Sequence, residues 1–121
     1  HPLTRHAGPV PPAALAEEIF LVREDGSGSG EVVDATLLAH GIVPRQRLVV
    51  GSTEAIKRVA MGGLGVGLIS AHAAADQIAL GTLAVVALRD VVVRRDFNRL
   101  SVPGRQPSPA AIAFETLLAE A

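Results

Sequence analysis

The chain contains no cysteine, tyrosine or tryptophan, and its aromatic residues are limited to Phe20, Phe97 and Phe114. Without cysteine there is no disulfide framework and no thiolate metal site. With so few rings there is no stacking platform for nucleic-acid bases. The formal net charge of −1 lacks the basic excess of a chain that grips phosphate backbones by itself. No apolar run reaches the roughly 18 residues of a membrane span. The opening His1-Pro2-Leu3-Thr4-Arg5-His6 has neither an apolar signal-peptide region nor an initiator methionine. The chain therefore reads as a piece of a longer, cytoplasmic protein.

What is present is aliphatic. Hydrophobic residues fill 49% of the 121 positions, enough for a core in one modest domain. That core must be built from Val, Leu, Ile and Ala. Such a bias favours parallel strands buried on both faces by helices.

Residues 1–12 hold four prolines and read as an extended entry segment, because proline and the residue before it avoid helical backbone. A short helical turn is expected over Ala13–Glu18. The apolar run Ile19-Phe20-Leu21-Val22, bounded by charge, reads as a buried strand. After the turn Gly26-Ser27-Gly28-Ser29-Gly30, a helix over Glu31–His40 carries Val33, Leu37 and Leu38 at helical spacing and stops at Gly41. Arg47–Val50 is a second strand. The helix that follows is capped by Ser52 or Thr53, shows Ile56, Val59 and Ala60 on one face and Lys57 and Arg58 on another, and ends at Gly62-Gly63. Leu64–Ile69 is a third strand whose glycines suggest close backbone approach. A third helix runs from about His72 to Leu80, and Leu83–Leu88 is a fourth strand. The alternation implies an α/β fold with a mostly parallel sheet flanked by helices. The last third departs from it. Val91–Arg95 is extended, Phe97–Val102 is a candidate strand, and Ser108-Pro109 opens a final helix with Ala111, Phe114, Leu117 and Leu118 on its apolar face.

Two helix starts are candidate ligand contacts. The turn Ser27-Gly28-Ser29 lies between a strand and a helix, where ligands of open α/β sheets collect. A helix N-terminus offers unpaired N–H groups and partial positive charge. The same residues also suit a plain turn with Ser29 as the helix cap, and spacing does not separate the two readings. Ser52 and Thr53 repeat the pattern at the next helix, where ordinary capping is the simpler account. A phosphate-binding loop would need Lys and then Ser or Thr after the last glycine, but Gly30 is followed by Glu31. A dinucleotide fingerprint would need a further glycine and an acidic residue closing the second strand, where Gly51-Ser52 stands. His1, His6, His40 and His72 lack metal-ligand spacing, and Ser27 has no evident base. Neither catalysis nor a cofactor is expected. Arg94, Arg95 and Arg99 face either a polar cleft or solvent, with Asp90 and Asp96 as nearby partners in the second case.

The stretch from Phe20 to Ser29 resembles a segment of LysR-type transcriptional regulators. So do Gly51–Lys57, Met61–Ser70, the opening His1-Pro2-Leu3, and Ser108-Pro109-Ala110-Ala111 with Phe114. The resemblance runs in order along nearly the whole chain, and within the family it looks like the regulators of carbon-dioxide-fixation operons. It implies one lobe of a type 2 periplasmic-binding-protein-like fold. On that basis residues 1–12 are the entry or hinge, 13–90 the effector-binding lobe, and 91–121 the hinge return strand and C-terminal helix. It further implies a small organic acid or metabolite as effector, closing a two-lobed cleft and contacted by Ser27, Gly28 and Ser29, to which the second helix start adds Ser52 and Thr53. DNA would be bound only through an N-terminal domain outside this chain, and the protein would be a homo-oligomer. Many members carry Arg where this chain has Gly30, which puts in doubt effectors that use that charge. The last helix packs on the first lobe in the family, so here it should fold onto its own lobe or meet a second chain. Half of a transport-type solute-binding protein is the alternative reading, and an enzyme fragment a third.

Overall fold

A computed structural model describes residues 1–96 and 98–120. Its sheet has three parallel strands: β1 (Ile19–Val22), β2 (Gln46–Val49) and β3 (Val66–Gly67), in the order β2-β1-β3. Helices α1 (Gly28–Ala39) and α2 (Thr53–Met61) make the two crossovers. A short turn of 3-10 helix at His72–Ala74 leads into α3 (Ala75–Ala79), and α4 (Pro109–Glu120) closes the chain. The expected α/β class with a parallel sheet and flanking helices is present.

The central strand organises the packing. Alternate side chains of a strand point to opposite faces. Phe20 and Val22 join Val33 and Leu37 of α1, together with Leu3, Val10, Leu15 and Ile42, in one buried cluster. Leu21 is completely buried on the other face. There it shares its surroundings with Gly67, whose missing side chain would meet Ile56 Cγ2 of α2 at 2.8 Å and Leu21 Cβ at 3.7 Å. A glycine at this position lets α2 close onto the sheet.

The helix stops behave as the glycines suggest. After α1, the N–H of Gly41 donates to the Leu38 carbonyl and the N–H of Ile42 to the Leu37 carbonyl. Gly41 has φ +61°, the left-handed backbone this closure requires. Ile42 then packs in the same cluster as Leu37. The same pair of bonds closes α2 at Gly63 and Leu64, and α3 at Gly81 and Thr82.

Several expectations are corrected. The entry is not extended throughout, because Pro2–Arg5 forms a 3-10 turn. The third strand is shorter than Leu64–Ile69. The Leu64 N–H is spent on the Val59 carbonyl at the end of α2, and Ser70 already accepts from Ala73 in the next turn. Leu83–Leu88 does not join the sheet. Its start is drawn to α3, where Leu83 N–H donates to the Gln77 carbonyl. Its end pairs with the entry segment, through Val10 N–H to Ala87 C=O at 2.8 Å and Arg89 N–H to Val10 C=O at 2.9 Å. Val91–Arg95 and residues 98–102 form no strand among the described residues, and Phe97 lies outside them. All four residues of β2 are exposed. Leu38, expected on the buried face of α1, is 83% exposed, whereas Lys57, expected at the surface of α2, is buried.

The last helix begins as its sequence dictates: Ala111 N–H donates to Ser108 Oγ, and Pro109 takes the first helical position. It does not fold onto its own lobe. None of its described residues is buried, and Phe114, Leu117 and Leu118 are more than half exposed. An ion pair from Arg99 to Glu115 ties it to the return segment.

Candidate functional site

The two candidate turns leave adjacent parallel strands at the same sheet edge. Val50 N–H still donates to the Val22 carbonyl at 2.9 Å, so the chain separates only beyond these residues. The first turn then bends through Gly26, at φ +78°, into α1. Ser27 is the helix cap: its Oγ accepts from the Gly30 N–H at 3.4 Å and its carbonyl from the Glu31 N–H at 3.0 Å. Ser27 N–H donates back to Glu24. With those groups spent, the N–H donors of Gly28 and Ser29 have no partner among the described residues. They are the first donors of a helix 12 residues long, where backbone amides and the dipole favour an anion. Glu31, in the same turn, partly meets that field already.

The side chain that completes this corner comes from far along the chain. Arg95 Nη1 donates to Ser29 Oγ at 3.1 Å. Arg95 Nη2 lies 3.3 Å from where a side chain on Gly28 would begin. The absence of a Cβ at Gly28 thus lets a guanidinium rest on the start of α1. Arg94, Arg95 and Arg99 were assigned by sequence to cleft or solvent, and the outcome divides them. Arg95 faces the glycine-serine turn, while Arg99 pairs with Glu115 at 3.1 Å. Nothing local in the sequence points to this, because the contact joins residues 66 positions apart.

At the second turn, Ser52 Oγ accepts from Ala55 N–H at 3.0 Å and its carbonyl from Ile56 N–H. Thr53 is the first helical residue. Both are open to the same edge as Ser27–Ser29, but no hydrogen bond connects the two turns among the described residues. Behind Thr53, Lys57 Nζ donates to Ala73 C=O at 2.8 Å and to Gln77 Oε1 at 3.2 Å, and it pairs with Glu54. Sequence reasoning missed this lysine, whose amphipathic helix position resembles any surface cation.

The charge beside the first turn is locally balanced. Arg23 Nε and Nη2 donate to the two oxygens of Glu24 at 2.8 and 2.6 Å. The hydrogen bonds from Arg23 hold the Glu24 carboxyl down at about 2. No group of three His, Asp or Glu side chains suited to a metal occurs among the described residues. None of their helices is long and apolar enough to cross a membrane.

A cavity of about 460 Å³ lies elsewhere, between β3, α2 and the segment 83–88, and includes Phe20, Ile56, Val66, Ile78 and Val86 in its walls. It marks the place where the expected fourth strand does not pair with β3. Its lining is mainly apolar, and it contains none of Ser27, Gly28, Ser29, Ser52 and Thr53. The polar turns and the apolar cavity are therefore separate features.

The LysR substrate binding domain model matches residues 1–121. The chain is 32% identical over 114 residues to a RuBisCO operon transcriptional regulator of Acidithiobacillus ferrooxidans, covering 94% of this chain and 37% of that protein. It is 34% identical over 119 residues to the HTH-type transcriptional regulator CbbR of Xanthobacter flavus, covering 98% of this chain and 36% of that protein. Among solved structures, the Synechocystis PCC6803 CcmR regulatory domain in complex with 2-PG is similar with a TM-score of 0.83 and 30% identity. That similarity covers 99% of this chain and 57% of the other. The chain thus spans little more than a third of these curated relatives.

Proposed function

The chain belongs to the LysR substrate-binding-domain family, and from that premise we propose that it is the effector-sensing lobe of a bacterial transcriptional regulator. The observation that carries the reading is the pair of open N–H donors at Gly28 and Ser29. They stand at the carboxyl end of the central strand, above a cap already satisfied by Ser27. An anionic group of a small organic acid would take these two donors, with Ser29 Oγ beside them. Ser52 and Thr53 would form the neighbouring part of the same wall. Two features support an anionic effector: the positive end of α1, and the 2-PG complex of the similar CcmR domain.

The lobe is one wall of the site. The facing wall and the DNA-binding domain would come from the rest of a longer protein, cytoplasmic and oligomeric. Binding between the walls favours a closed arrangement only as far as the effector binds that arrangement better, and this difference shifts the population. Sensing rather than turnover is supported by the regulator relatives and by Ser27, whose oxygen accepts the helix-cap bond from the Gly30 N–H.

The test is calorimetric titration of the intact regulator with 2-PG, comparing wild type with the double variant Ser27→Ala, Ser29→Ala. Loss of the Ser29 hydroxyl contact, together with the Ser27 cap that sets the Gly28 and Ser29 amides, should weaken binding by about 1–2 kcal/mol. Unchanged affinity would remove the serine hydroxyls from the site. Because Ser27→Ala also deletes a cap worth about 1 kcal/mol of stability, a thermal melt of the unliganded variant separates loss of fold from loss of binding.

A further inference from the structure

We draw no further inference here: the strongest candidate, the mainly apolar cavity between β3, α2 and the segment 83–88, carries no proposal, because the Lys57 ammonium at its wall is already bonded to Ala73 and Gln77 and nothing in the structure shows what fills it.

Discussion

Lys57 Nζ donates a hydrogen bond to the carbonyl of Ala73 at 2.8 Å, from a side chain that is only 8% exposed. The bond crosses 16 residues and ties α2 to the turn that follows β3. A buried ammonium is tolerated only when its donors are satisfied, and Ala73, Gln77 and Glu54 do that here.

Lys57→Met should therefore destabilise the fold by about 1–3 kcal/mol, since it leaves the Ala73 and Gln77 acceptors without their donor. Glu54→Ala removes only the exposed end of the network and should stay within about 0.5 kcal/mol. Urea unfolding of both variants checks the contrast, and equal losses would show that the exposed pair matters as much as the buried bond.

Leu37 and Leu38 are neighbours in sequence with opposite surroundings, 4% and 83% exposed. Leu37→Ala should lose about 2–5 kcal/mol, through lost burial and the cavity left among Val33, Phe20 and Ile42. Leu38→Ala should change stability by no more than about 0.5 kcal/mol. Chemical denaturation distinguishes them directly.

Gly41→Ala should cost about 1–2 kcal/mol, because alanine must adopt the left-handed φ of +61° to keep the Leu37–Ile42 closure. Open space surrounds the missing side chain, so the penalty is conformational rather than steric. Gly65→Ala fails for the other reason: a Cβ there would press on the Ile19 carbonyl of β1. Its thermal midpoint should drop, and a crystal structure should show β3 displaced from β1.

Glu24 is paired with Arg23 in a two-bond contact, and its carboxyl is held at about 2. A folded-state value below the unfolded one, about 4.3, means that the pair stabilises the fold above that pH. The contribution fades as pH falls toward 2. NMR titration of the Glu24 side chain should place its midpoint near 2 in wild type and near the ordinary glutamate value in Arg23→Ala. At this exposed site the effect on global stability should be small.

Sequence legibility followed the range of the interactions. The strand Ile19–Val22, the glycine stops at 41, 63 and 81, and the Ser52 and Ser108 caps match their expectations, because each depends on residues within a turn of one another. The family was legible for a related reason: its motifs are the local turns that the strands and helices share. The spacing predicts a helix from Glu31 with Ser29 as its cap, whereas α1 begins at Gly28 and Ser27 is the residue whose oxygen caps it. The bond to Gly30 decides that and shifts attention to the amides of Gly28 and Ser29.

The sequence by itself determined an aliphatic α/β chain, its order of turns and helices, and the two serine turns at strand ends. Periodicity and turn chemistry act over a few residues and are written in the chain directly. Only the tertiary structure decided which strands pair. Leu83–Leu88 is extended and apolar enough for a strand, yet its backbone partners are Gln77 and Val10 rather than β3. Only the tertiary structure buried Lys57 and exposed Leu38. And only it brought Arg95 to Ser29, because a hydrogen bond across 66 residues depends on where the intervening fold returns the chain, which no local pattern encodes.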